Sequence, residues 1–154
     1  MLILIYQEWI VKLLIAFNSG DVRKFGSMKK EWEIQKDLVA NEAILREKIC
    51  LLALMEMTFQ RSATDRSLTF HDIANQARID EDKVELLVMK ALAKGLVKGS
   101  IDQVAQVANL TWVQPRVLDK EQLKTLVKRI NDFTTSINFM ENMIEKNASD
   151  ILTM

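Results

Sequence analysis

Helix breakers are scarce in this chain, with four Gly and one Pro among 154 residues. Both disfavour helix interiors, so their scarcity argues against a turn-rich fold and for a mostly helical one. Cysteine is nearly absent too. Cys50 stands alone, which excludes an intrachain disulfide. Its apolar neighbours Ile49, Leu51 and Leu52 mark it as a buried, reduced thiol, and a cytoplasmic or nuclear location fits. His71 is the single histidine. A metal site would have to come from carboxylates, and a Ser-His or Cys-His nucleophile from this one ring. Asp72 adjoins it in sequence, but neighbours on a helix do not face each other. His71 therefore reads as a surface or capping residue. The sequence contains no Gly-rich phosphate loop and no metal-spaced Cys or His set. Carboxylate pairs such as Glu81 and Asp82 are explained by the helix dipole. No catalytic, cofactor-binding or metal residue is assigned, no cofactor is expected, and the chain does not read as an enzyme.

Charge of one sign is also missing: 21 basic and 21 acidic side chains cancel. A dedicated nucleic-acid binder carries a basic excess to neutralise phosphates, so nucleic acid is not an expected partner. Long apolar runs are absent as well. The first 17 residues are apolar-rich, but Gln7, Glu8 and Lys12 interrupt them and no basic stretch precedes them. They form neither a spanning helix nor a signal peptide, and no membrane partner is expected. They read as a buried helix, and so abrupt a start suggests a piece of a longer protein.

What is present is an ordinary globular composition, 49% hydrophobic and 27% charged, with eight adaptable Met. The length suits one domain or two small ones sharing a core. Residues 2–17 predict a first helix, followed by a turn at Asn18-Ser19-Gly20-Asp21 with Gly20 in a left-handed cap position. Residues 22–34 predict a second helix carrying Trp32. A third runs from about Leu38 to Gln60 with Leu38, Ile44, Leu45, Cys50, Leu52, Met55 and Phe59 as apolar positions. Its nearly continuous apolar run after Ile49 predicts burial on several sides. The lengths of these elements, not any sequence repeat, resemble the helix pairs of a solenoid.

After a polar loop from Arg61 to Ser67, Leu68-Thr69-Phe70 predicts a short strand. Thr69 is placed to cap a helix from near His71 that carries Ile73, Ala74 and Ala77. Asp80 is placed to cap the next, where Val84, Leu87, Val88, Ala91 and Leu92 keep helical spacing until Gly95. The period then changes from 3.6 to 2. Val97, Gly99 and Ile101 form one strand, and Ala108, Leu110 and Trp112 the other strand of a hairpin. Helix, strand, helix, helix, strand, strand is the winged-helix order. Its second helix would be the one to enter a DNA groove, but Asp80, Glu81, Asp82 and Glu85 crowd the leading end and would repel phosphates. Lys83, Lys90, Lys94 and Lys98 offset this only in part. The same helix has a second apolar set at Leu86, Met89 and Ala93. Core on all sides is the simpler expectation for it, and a partner-facing patch the alternative. With Leu110 and Trp112, these residues make up the candidate winged-helix interface.

Gln114-Pro115 ends the second hairpin strand. Asp119, with Gln122 three residues on, predicts the start of a last helix that meets no Gly or Pro before the chain ends. Leu123, Leu126, Ile130, Phe133, Ile137, Met140, Ile144, Asn147 and Ile151 alternate spacings of 3 and 4, a heptad seam with one polar position at Asn147. At 1.5 Å per residue the helix would be roughly 50 Å long, longer than a small winged helix is wide, so its distal half is expected to project. Covering eight apolar seam positions would contribute on the order of 10 kcal/mol or more. An isolated helix of this kind is marginal in water. Pairing with other helices is the expectation, and folding back onto residues 2–60 the alternative. Asn147 is a candidate register or partner-selecting position.

A helical segment (1–60), a winged helix (61–118) and a trailing long helix (119–154) resemble the PCI domain. That domain is shared by subunits of the proteasome lid, the signalosome and a translation initiation factor. The stretches LIAFNSGD (Leu14–Asp21), ALMEMTF (Ala53–Phe59), VELLVMKAL (Val84–Leu92) and TWVQPRVL (Thr111–Leu118) narrow the resemblance to a non-ATPase subunit of the proteasome lid. After Asp119 helix chemistry is kept while identity drifts. The resemblance implies a mainly α fold and a non-catalytic scaffold in ubiquitin-dependent protein degradation. It implies side-by-side packing of winged helices, often by extending a sheet, and C-terminal helices gathered into a lid bundle. The implied partners are other PCI-type lid subunits, and self-association of the isolated chain is open. A winged-helix nucleic-acid-binding regulator, or a PCI subunit of a related complex, is the alternative.

Overall fold

The computed structural model describes the backbone of residues 2–62, 65–115, 117–118 and 120–152, and the side chains of residues 8–62, 65–115, 117–118 and 120–146. The chain divides into two compact units, Met1–Pro115 and Arg116–Met154. The first begins with α1 (Leu2–Ser19), α2 (Val22–Ser27), α3 (Lys29–Trp32), α4 (Lys36–Ala40) and α5 (Glu42–Gln60). It continues with β1 (Ser67–Thr69), α6 (Phe70–Ala77), a 3-10 turn at Glu81–Lys83, α7 (Val84–Ala93), β2 (Val97–Asp102) and β3 (Val107–Val113). The second contains α8 (Lys120–Leu152). The fold is mainly α, and the order from α5 to β3 is that of a winged helix. Its three strands pair antiparallel in the order β1-β3-β2, with Leu68 and Ile101 both opposite Ala108.

Helix α5 explains how one small unit holds two apolar clusters. Ile49 and Ala53, one turn apart, pack with Leu13, Val22, Phe25 and Trp32 of the helical segment. Cys50, Leu51, Leu54 and Met55 face the other way, into a cluster with Leu68, Ile73, Val84, Val88, Val97, Ala108 and Leu110. The continuous apolar run after Ile49 is thus read out as burial on two sides. Thr58 is the one fully buried polar side chain among the described residues, and its hydroxyl donates to the Leu54 carbonyl at 2.8 Å. In the helical segment Phe25 and Trp32 stack with centroids 5.3 Å apart, and Phe17 meets Phe25 edge-on. Asp21 caps α2 by accepting from the backbone N–H groups of Arg23 and Lys24, both at 3.0 Å. Those bonds, chiefly that from Lys24, hold its carboxyl below the usual carboxylate range.

Several expected boundaries differ. The helix expected over 22–34 is split into α2 and α3 at Met28, whose backbone (φ −85°, ψ 6°) leaves the helical region. Gly26 and Ser27, weak helix formers, precede the break, and the Ser27 hydroxyl donates to the Lys24 carbonyl. The helix expected from Leu38 is split at Asn41, whose amide donates to the Asp37 carbonyl at 2.9 Å and so competes with the helical ladder. Phe70 opens α6 instead of closing a strand. The Thr69 cap forms as expected, the hydroxyl accepting from Asp72 N–H at 3.1 Å. Asp80 makes no side-chain cap; its carboxylate takes the Lys83 ammonium at 2.6 Å, and a 3-10 turn intervenes before α7. Helix α1 is not buried all round. Leu13 and Ala16 are buried, while Ile10, Val11, Leu14 and Ile15 form an exposed apolar face. The cap expected at Asp119 lies outside the described residues.

Gly20 closes α1 at φ +65°, and an added Cβ there would sit 2.8 Å from the Ala53 backbone. It is the point where the α1–α2 turn is pressed onto α5. Gly20→Ala should destabilise the chain by about 2–5 kcal/mol, from left-handed strain plus overpacking. Gly26 has open space around its Cβ position and a negative φ, so Gly26→Ala should be neutral or stabilise by up to about 1 kcal/mol. Urea denaturation of the two variants checks the contrast.

Candidate functional site

The lone cysteine and the lone histidine lie in opposite settings, one buried and one exposed. The Cys50 thiol is 3% exposed, lies 3.5 Å from the Ala77 carbonyl, and is pushed up in pKa by burial. His71 is exposed and its Nδ1 lies 2.6 Å from a Glu81 carboxylate oxygen, not against Asp72. Among the described residues no group of three or more His, Cys, Asp or Glu is placed to hold a metal ion. No helix among them is long and apolar enough to cross a membrane.

The surfaces are more telling. Helix α7 carries two apolar stripes. Val84, Leu87, Val88 and Ala91 form the buried one. Leu86, Met89 and Ala93 form the other, and they are exposed, with Leu86 and Met89 each more than half so. The expectation of core on all sides of this helix is therefore overturned. Sheet and helices cover only one side of α7, and 3-4 spacing puts the second stripe beyond their reach. Trp112 is also exposed at 38%, and the Lys98 ammonium stands 5.0 Å from its ring centroid. Leu110 is not part of this surface. At 3% exposure it belongs to the core beneath β3, because the strand's period of 2 turns Ala108 and Leu110 inward. The leading end of α7 stays acidic. Asp80 pairs with Lys83, Glu81 meets His71, and Glu85 accepts from the Gln103 amide at 3.1 Å. β2, like β1, is an outer strand of the sheet, so its far edge has no strand partner among the described residues.

In α8 the seam residues Leu123, Leu126, Ile130, Phe133, Ile137, Met140 and Ile144 are all exposed. The side chains of Asn147 and Ile151 lie outside the described residues. Val127 and Met143 flank the seam and are exposed too. On the heptad frame the flanking positions are Gln122, Val127, Arg129, Thr134, Ser136, Glu141 and Met143, only two of them charged. Two-stranded coils usually charge these positions; a band this broad and this neutral suits contact with more than one helix. The middle of α8 is intrinsically weak. Thr134, Thr135 and Ser136 each donate to the carbonyl four residues back at 3.0 Å, beside Asn131, Asp132 and Asn138. Packing, not propensity, has to sustain this segment.

The described residues thus combine a winged helix that has an exposed second stripe on α7 and an open sheet edge with a long helix that carries an exposed apolar seam. The chain belongs to the PCI domain family, whose model matches residues 21–112, from the Asp21 cap to Trp112 on β3. It is similar to the 26S proteasome non-ATPase regulatory subunit 13 of Dictyostelium discoideum, 34% identical over 150 residues. That match covers 95% of this chain and 39% of the relative. It is likewise similar to the 26S proteasome regulatory subunit RPN9 of Saccharomyces cerevisiae, 36% identical over 146 residues, 94% of this chain and 36% of the relative. A weaker match, 26% over 109 residues, links it to eukaryotic translation initiation factor 3 subunit M of Schizosaccharomyces pombe, covering 71% of this chain and 27% of the relative. The chain thus spans less than two fifths of the length of these relatives.

The division of α7 and β3 into surface and core can be measured. Leu86→Asp should change unfolding free energy by no more than about 0.5 kcal/mol. Leu110→Ala should cost about 2–5 kcal/mol. Equal costs in thermal and urea unfolding would show that the α7 stripe is packed.

Proposed function

We propose that this chain is the PCI part of a non-catalytic scaffold subunit of the proteasome regulatory-particle lid, working in the cytoplasm and nucleus. The observation that carries the reading is the extent of the similarity. The PCI family match ends at residue 112, but the matches to proteasome regulatory subunits cover 95% and 94% of the chain and so include most of α8. The match to the initiation-factor subunit covers 109 residues at lower identity, which makes that complex the second reading.

Each exposed surface has a role in this proposal. The α7 stripe of Leu86, Met89 and Ala93, with Trp112 and the β2 edge, meets the winged helix of a neighbouring PCI subunit. The exposed face of α1 takes a further helix of the solenoid. The α8 seam enters a bundle with the long helices of other lid subunits, where Asn147 helps select register or partner. Covering a large apolar side chain stabilises by about 1.5–3 kcal/mol, so a seam of seven exposed residues drives association even after the entropic cost of ordering is subtracted. A nucleic-acid-binding role is disfavoured by the carboxylates at the leading end of α7 and by the zero net charge.

In the full-length subunit, Ile130→Asp with Ile137→Asp should abolish co-purification with the other lid subunits, as should truncation after Asp119. Leu86→Asp should weaken it while leaving the fold intact. Normal incorporation of the seam variant into the lid would contradict the bundle role.

A further inference from the structure

Two grooves adjoin along α5. One, of about 470 Å³, lies between α5, the α6–α7 connection and α7, with Cys50, Ile79, Leu86 and Leu87 among its lining. The other, of about 560 Å³, lies between α5 and the α2–α3 segment. Arg46 and Arg78 line both and so stand at the junction. The charges sort themselves. Lys90 donates to Glu47 at 3.0 Å, Lys83 to Asp80 at 2.6 Å and Lys29 to Glu42 at 2.9 Å. These pairs hold Glu47 and Asp80 below the carboxylate range and Lys29 above its own. Every carboxylate lining either groove is thereby neutralised. Arg23, Arg46 and Arg78 are left over, with no side-chain hydrogen bond or ion pair among the described residues. Arg78 is held there by the fold: it closes α6 in the left-handed region at φ +51°, a conformation a non-glycine residue adopts only under constraint.

We propose that these joined grooves bind an acidic peptide segment of another protein, its carboxylates on Arg46, Arg78 and Arg23 and an apolar side chain beside Leu86 and Ile79. Charge complementarity selects the occupant. Uncompensated guanidinium groups call for carboxylates, which they grip in two-point hydrogen bonds. The apolar floor of the first groove, with Ile79, Leu86 and Leu87, gives a sugar–phosphate backbone nothing to contact and gives a leucine or methionine side chain a place to be buried. Two grooves meeting at the arginines suit an extended chain rather than a single anion. The inference stands on groove chemistry and does not require the lid assignment.

The test is fluorescence anisotropy with the purified chain and a labelled peptide of Leu-Glu-Glu repeats, against the same peptide with every Glu replaced by Gln, and against a labelled duplex DNA. The acidic peptide should bind, the Gln peptide should bind at least about tenfold more weakly, and added salt should weaken the acidic one. Arg46→Glu with Arg78→Glu should abolish binding, Leu86→Asp should reduce it, and Lys36→Glu with Lys98→Glu, which line neither groove, should leave it unchanged. Arg46→Gln with Arg23→Gln, which spares the left-handed position, guards against misfolding and should also weaken binding. Equal binding of both peptides, no effect of the arginine variants, no binding at all, or preferential binding of the duplex would each overturn the proposal.

Discussion

The first unit depends on the two-sided burial of α5. A helix that packs on one side can be exchanged for any amphipathic helix; α5 cannot, because Ile49 and Ala53 belong to one apolar cluster while Cys50, Leu51, Leu54 and Met55 belong to the other. The helical segment and the winged helix therefore share a structural wall. Loosening either cluster exposes part of the same helix, so the two should unfold together. Gly20 enforces this economy by letting the end of α1 press directly on the α5 backbone.

With the core spent on α5, the outward faces are free for other work. The same shortage of covering elements that leaves Leu86, Met89 and Ala93 exposed on α7 leaves Ile10, Val11, Leu14 and Ile15 exposed on α1 and the seam residues from Leu123 to Ile144 exposed on α8. These are continuous stripes at helical spacing, not scattered leucines, and it is on such stripes that the proposed contacts rest. Winged helices often bind DNA. Here Asp80, Glu81, Asp82 and Glu85 at the leading end of α7 set the charge against that use, and the role proposed for the fold is that of an interaction block.

Much of this was legible in the sequence because period and capping chemistry are local. The change from 3.6 to 2 after Gly95 locates the hairpin, Thr69 announces α6, and the heptad spacing marks α8. What could not be read depends on contacts or on competition within the backbone. The breaks at Met28 and Asn41 lie inside stretches whose apolar pattern is helical, and they arise from hydrogen bonds of Ser27 and Asn41 to nearby carbonyls. The two stripes of α7 have equivalent spacing, so pattern alone cannot say which one is buried. Leu110 shared its alternation with Trp112, yet one lies in the core and the other on the surface, because the hairpin register shifts by one residue between them and turns Trp112 outward while Val113 packs against the core. The groove at Arg46 and Arg78 was invisible because 32 positions separate those residues in the chain, and the packing of α5 against the end of α6 puts both on its lining.

The central claim is that the α8 seam is completed by helices of other chains. Hydrogen exchange of the amides in residues 120–146, followed in the isolated chain across a wide range of protein concentration, tests it most directly. The account predicts fast, nearly unprotected exchange in dilute solution, with protection rising only as chains associate or when lid subunits are added. Strong protection that is independent of concentration, in a chain that remains monomeric, would mean that the seam is satisfied within its own chain and would contradict the claim.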